Sequence, residues 1–268
     1  MAVPELPEVE TVRRQLAPIL TGRQIVDAGA HGSAKFASAT DAIGSGIVGI
    51  DRRGKYLLTE LDDRRQLIVH LGMTGVLRPR PDGPVDPYVR AWWALDDGIT
   101  IELKDVRRFG RIAVVPSGDH RSLATLHHLG PEPLGPGFTA EGLRLAVNRS
   151  SAMVKSQLLG QRVVAGVGNI YADEALWMAK VNPAARSITK PRAVALHAAV
   201  RHVLAAALDN GGTTLRDYRD VTGDEGRNQF HLSCYGRAGL PCLRCGTPLR
   251  RRVIDARGTT WCPTCQRR

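Results

Sequence analysis

Aromatic residues are scarce in this chain, at 5% of 268 residues, and lysine is scarcer still, with six against 31 arginines. Cysteine occurs only five times and lies wholly in the C-terminal part, which excludes the disulfide framework of a small secreted domain. No apolar run approaches the roughly 18 to 20 residues needed to cross a bilayer. The first residues carry acid and lack an apolar core, so they do not read as a signal peptide. There is no internal repeat and no low-complexity tract. These absences predict a cytoplasmic, globular protein with no membrane partner. Hydrophobic content of 43% and charged content of 24% argue against wholesale disorder, and the length suffices for one large domain or two modest ones.

What the chain has in excess is positive charge, +11 at neutral pH with a sequence pI near 10.0. Residues 229–268 carry +7 of it, as eight arginines against one acid, Asp255. Such an excess favours a polyanionic partner. The arginine bias itself is also what a GC-rich coding sequence produces. Four of the five cysteines, Cys242, Cys245, Cys262 and Cys265, form the pattern C-x2-C-x16-C-x2-C. Two thiolate pairs on two tight turns are what a tetrahedral zinc ion requires. Leu249 to Ile254 and Gly258 to Trp261 read as two strands around a turn at Asp255-Ala256-Arg257. The spacing predicts a zinc hairpin holding one structural Zn2+, with all four ligands Cys and no position open for catalysis.

Along the chain, Pro7, Glu8 and Glu10 open a short amphipathic helix with Val9, Val12 and Leu16 on one face, ended by Gly22. From about 25 to 116 the pattern is strands and tight turns, with hairpins at 55–61/66–71 and 92–95/99–103. Leu129 to Gly137 is a Pro/Gly-rich linker. Helices follow at about 139–147, 151–160, 170–180 and 191–209, and then a polar, mobile loop at 215–232. The expected fold is α+β: an N-terminal antiparallel β-sandwich over 1–130, a helical domain with a loop over 131–230, and the zinc hairpin over 231–268.

Pro4-Glu5-Leu6-Pro7-Glu8-Val9-Glu10-Thr11 resembles the amino terminus of bacterial formamidopyrimidine-DNA glycosylases. The likeness continues through Arg52 to Leu58, His70 to Gly75, Asp105 to Gly110, His128 to Leu134, Gly166 to Ala172, Tyr235 to Arg237 and the zinc hairpin, in the family's order. The resemblance implies a monomeric, nucleoid-associated DNA-repair enzyme. It would excise oxidised purines from duplex DNA by way of a Schiff base and cleave abasic sites by β,δ-elimination. It implies Pro4 as the amine nucleophile, Glu5 as the general acid–base, Lys55 in phosphate contact and β-elimination, and Arg257 at the hairpin tip in δ-elimination. Met73, Arg107 and Phe109 match the side chains that fill the void left by an extruded base. Arg108, Lys155, Asn169, Tyr235 and Arg237 match DNA-facing positions, Asn169 at the start of a helix in a helix–two-turn–helix element.

The sequence departs from the family's pattern in several places. Relatives expose the proline by removing Met, whereas here Met1-Ala2-Val3 precede Pro4, and an internal proline nitrogen is a non-nucleophilic amide. A start codon assigned too early, with Val3 as a GTG initiator, would account for this. Residues 224–230 replace a Lys-Pro-Gly-Tyr-like stretch. Tyr88 lies where relatives carry histidines, and Ser151 lies in a thinner version of a lysine-rich patch. Two further readings are a catalytically silent lesion-binding homologue and an endonuclease VIII-like glycosylase for oxidised pyrimidines. The Arg107-Arg108-Phe109 triplet favours the purine branch.

Overall fold

The computed structural model describes residues 4–267. Two compact units are present, and the chain passes back and forth between them. The first comprises the chain up to His127 together with Asn210–Arg227; the second comprises His128–Asp209 and Asn228 onward.

The first unit begins with helix α1 (Leu6–Leu20). Glu5 is its N-cap, and Glu8 returns a carboxylate oxygen to the Glu5 N–H at 2.8 Å, closing a capping box. Leu6, Val9, Val12, Leu16 and Leu20 are buried, as the amphipathic spacing predicts. Two four-stranded antiparallel sheets follow. One has the order β1 (Ile25–Ala30), β6 (Val89–Leu95), β7 (Thr100–Asp105), β5 (Gly75–Pro79). The other runs β2 (Ile47–Arg53), β3 (Tyr56–Leu61), β4 (Arg65–His70), β8 (Arg111–Pro116). Their inner faces share one apolar core that includes Leu57 and Val69 from one sheet and Trp93, Ile101 and Leu103 from the other, with α1 packed against it. The β3–β4 and β6–β7 hairpins both form, in the registers Tyr56↔His70 and Trp93↔Ile101.

Residues 210–227 complete this unit by packing on α1. Thr213 N–H donates to Glu8 Oε1 at 2.7 Å, and Val221 N–H donates to Gln15 Oε1 at 2.9 Å. A close approach is required here: a Cβ on Gly226 would lie 2.2 Å from the Gly212 carbonyl oxygen.

The second unit holds the short helix α3 (Ala140–Asn148), α4 (Val154–Leu159), α5 (Asn169–Met178) and the long α6 (Lys190–Asp209), numbered after the one-turn α2 (Ala124–His127) of the first unit. Thr139 caps α3 through its side chain, and Gly168 is the N-cap of α5. The hairpin β9 (Arg250–Ile254) and β10 (Arg257–Trp261) pairs Ile254 with Arg257, so the turn has two residues. Asp255 and Ala256 both take positive φ, 46° and 58°, the geometry of a type I′ turn. Arg257 therefore opens the second strand rather than lying in the turn. Among the described residues no helix is long and apolar enough to cross a membrane.

Candidate functional site

In the first unit a small pocket opens at the N-terminal end of α1. Pro4, Glu8, Thr213, Leu215, Arg216, Asp217 and Tyr218 line it. Pro4 is buried, as is the next residue, Glu5. The residues preceding Pro4, Met1 to Val3, lie outside the described part of the chain. Glu8 organises this end by dividing its carboxylate, one oxygen on the Glu5 N–H and the other on the Thr213 N–H. Burial, and then the nearby Glu8 charge, push the Tyr218 phenol above its ordinary range, so its hydroxyl stays neutral and faces the carbonyls of Glu8 and Gly211. The sequence marked Glu8 only as a helix starter; its second task depends on a partner 205 residues away.

Lys55 sits at the β2–β3 turn with little exposure. Beside it is His70, whose ring lies 4.6 Å from that of Tyr56. Burial, then the positive charges of Lys55 and Arg111, push the His70 imidazole down to about 4. It is therefore neutral near pH 7, and its Nδ1 accepts the Gly72 N–H at 3.2 Å.

Met73 lies between β4 and β5, and Arg107, Arg108 and Phe109 lie between β7 and β8. The structure brings these two loops together. A Cβ on Gly72 would come within 2.4 Å of the Gly110 nitrogen, so the backbones touch. Arg107 lies over the Phe109 ring at 4.6 Å, and Phe109 is 47% exposed despite its size. Arg108 is exposed with φ of 55°, and its carbonyl accepts Lys35 Nζ at 3.0 Å. Tyr88 is 44% exposed, stacked by Arg90, and its carbonyl accepts the Asp105 N–H at 2.9 Å.

In the second unit, Arg257 is exposed beside the hairpin turn, while Asn169 Nδ2 donates to the Gly258 carbonyl at 3.2 Å. Asn169 Oδ1 is buried and has no hydrogen-bond partner among the described residues. Tyr235 and Arg237 are half-buried on a loop held by Glu174, which accepts the N–H groups of Ser233, Cys234 and Tyr235 at 3.0, 2.8 and 2.7 Å. Ser151 is exposed, and its carbonyl accepts from Arg186.

Lys155 does not face outward. Its side chain is fully buried, and Nζ donates to Asp173 at 2.6 Å, Thr259 Oγ1 at 2.9 Å and the Gly258 carbonyl at 3.0 Å. The three protons of this buried ammonium meet those three partners, which tie Lys155 to α5 and β10. Asp173 and Glu174 are the acids the sequence reading passed over. The signal was there: two adjacent carboxylates in a helix whose other residues after Asn169 are apolar or aromatic.

Cys242, Cys245, Cys262 and Cys265 present four sulfurs all within 4.8 Å of one another. Tetrahedral Zn–S bonds of 2.3 Å imply S···S edges of about 3.8 Å, and Cys245 Sγ to Cys262 Sγ is 3.5 Å. Burial opposes ionisation of Cys242, but the N–H groups of Arg244, Trp177 and Cys245 bring it down to about 6, whereas burial pushes the Cys262 thiol up and the Cys265 thiol to about 12. The donor set fits zinc and leaves no open position. Cys234 is separate: buried, with its thiol pushed up by burial and then by Asp173, and donating to the Thr260 carbonyl at 3.1 Å.

Residues 3–112 match the formamidopyrimidine-DNA glycosylase N-terminal domain, 129–219 the formamidopyrimidine-DNA glycosylase H2TH domain, and 239–268 the zinc finger found in FPG and IleRS. The formamidopyrimidine-DNA glycosylase of Thermus thermophilus is 46% identical over 268 residues, covering 98% of both chains. The crystal structure of the MutM (Fpg) protein from the same organism matches with a TM-score of 0.92 at 46% identity, over 98% of each chain. That of a Lactococcus lactis Fpg mutant in complex with Fapy-dG-containing DNA matches with a TM-score of 0.90 at 34% identity, over 99% of this chain and 100% of that one.

Proposed function

The chain belongs to the formamidopyrimidine-DNA glycosylase family of base-excision repair enzymes, and on that premise we propose that it excises oxidised purines from duplex DNA and then cleaves the abasic strand. The observation that carries this reading is the pocket beside Pro4, bounded by Glu8 and the 213–218 loop. Pro4, the Glu8 carboxylate and residues 213–218 adjoin there.

With its nitrogen freed as a secondary amine, Pro4 attacks C1′ of the damaged nucleotide. The bond to the base breaks as Glu5 moves protons at the sugar and the leaving base. Glu5 then gives a proton to O4′, the C1′–O4′ bond opens, and the proline nitrogen and C1′ become a positively charged iminium, which acidifies the C2′ proton; loss of that proton expels the 3′ phosphate. A second elimination releases the 5′ phosphate, with Arg257 on the phosphate. Lys55 neutralises phosphate charge near the first elimination. Met73, Arg107 and Phe109 fill the space the base vacates, while Tyr88, Arg108, Ser151, Asn169, Tyr235 and Arg237 contact the DNA backbone. One structural zinc ion holds the knuckles of the hairpin that carries Arg257.

The test is borohydride trapping on a duplex with 8-oxoguanine opposite cytosine. Two forms are compared: the sequence as written and one beginning at Pro4. Trapping by the shorter form alone supports the proline nucleophile. DNA binding by both forms with trapping by neither overturns the enzyme reading in favour of a lesion binder.

A further inference from the structure

Two loops carry the three void-filling side chains, and a single buried carboxylate joins them. Asp105, the last residue of β7, is fully buried. Its Oδ1 accepts the Thr74 hydroxyl at 2.6 Å, on the loop of Met73. Its Oδ2 accepts the Gly110 N–H at 2.7 Å, just beyond Phe109. The Thr74 hydroxyl oxygen in turn accepts the Arg107 N–H at 3.1 Å. The carboxylate is itself fixed through its backbone, N–H on the Tyr88 carbonyl at 2.9 Å and carbonyl on Arg90 Nε at 2.8 Å. Both ends of the 106–110 loop and the base of the Met73 loop therefore hang from one group. The short distances fit bonds to an ionised acceptor, which are stronger than neutral ones.

We propose that the Asp105–Thr74 pair is a positioning latch that presets the spacing of Met73 against Arg107 and Phe109, so that the three enter a duplex as one rigid wedge. The proposal rests on the void-filling reading above. Neither residue touches the reacting atoms. With the latch closed, the loops need no ordering when the base leaves the stack, and the cost of ordering falls outside the extrusion step. With it open, that cost is paid during extrusion. Chemistry at a sugar that has already lost its base is affected little.

The test uses the form beginning at Pro4, with Thr74→Val, which keeps the shape and loses the hydroxyl, and Thr74→Ser, which restores it. A 2-aminopurine next to the lesion reports extrusion by stopped flow. Single-turnover excision of 8-oxoguanine and cleavage of a preformed abasic site are measured in the same sequence. Thr74→Val should slow extrusion and excision about tenfold, the scale of one charge-assisted hydrogen bond. Abasic cleavage should change less than twofold, and Thr74→Ser should recover. Unchanged extrusion in Thr74→Val, or equal slowing of excision and abasic cleavage, overturns the latch. Failure of the unsubstituted protein to excise would instead sink the proposed function, and the 2-aminopurine signal, which needs no bond cleavage, still decides the latch.

Discussion

Lys155 Nζ lies 2.6 Å from Asp173 Oδ1, and neither side chain is more than 1% exposed. Burial raises the Asp173 carboxyl to about 6, opposed by Lys155 and by the Thr260 N–H, which it accepts at 2.8 Å. The pair thus ties α4 and α5 to β10. Removing one member strands the other charge in the interior. Lys155→Ala or Asp173→Leu should each destabilise the protein by about 3–5 kcal/mol, while the double Lys155→Met/Asp173→Leu should recover most of that loss. Urea unfolding of the three variants checks the order.

His70 makes stability depend on pH. Its folded value, about 4, lies below the ordinary 6.5, so the unfolded chain takes up the proton first as pH falls. The contribution is fully present above 6.5, is lost between 6.5 and about 4, and is flat below. Because the ring is half-buried rather than sealed, the loss should be about 2 kcal/mol, less than the whole shift would give. Unfolding free energies at pH 7.5 and 4.5 should differ by that much more in the parent than in His70→Gln.

Trp177 ties the metal knuckle to α5. Its indole N–H donates to Cys242 Sγ at 3.4 Å, its carbonyl accepts from Arg244 at 3.1 Å, and the Arg244 guanidinium lies 4.3 Å over its ring. Chelation of the zinc should change tryptophan fluorescence. Trp177→Phe, which keeps the packing and drops the N–H, should speed metal loss to a competing chelator about tenfold.

Ala256 holds a left-handed conformation, φ 58°, that an L side chain resists. Ala256→Gly should stabilise the hairpin by about 1 kcal/mol, and Ala256→Pro, whose ring demands negative φ, should disrupt it. Thermal unfolding followed by near-UV dichroism distinguishes the two.

The legible parts of the fold were those written locally. The cysteine spacing, the α1 stripe and the β3–β4 and β6–β7 hairpins each depend on residues within one element or its turn, and all formed. The strands between them carried no comparably sharp signal and could be expected only as a region. The burial of Lys155 was not legible, because its partners are 18, 103 and 104 residues away and a lone lysine in the first turn of a helix reads as a surface charge. For the same reason residues 215–232 read as a mobile polar loop, although the segment 210–227 packs on α1. Their attachment rests on Gln15 and Glu8, and nothing in the loop's own composition announces it. The Asp105 latch was hidden within a quoted motif, since pattern reading weights the arginines and the aromatic over the acid before them.

The bond between Glu8 and Thr213 spans 205 residues, and synthesis runs in one direction. At roughly 5–20 residues per second, Glu8 is synthesised some 10–40 s before its partner. Through that interval the helix that follows Pro4 has its Glu5 cap but no loop beside it, and the first unit cannot close. The second unit's long helix is complete before the pocket's far wall exists. The pocket beside Pro4 is therefore among the last parts of the chain to be assembled, although Pro4 and Glu8 are among the first residues to be translated.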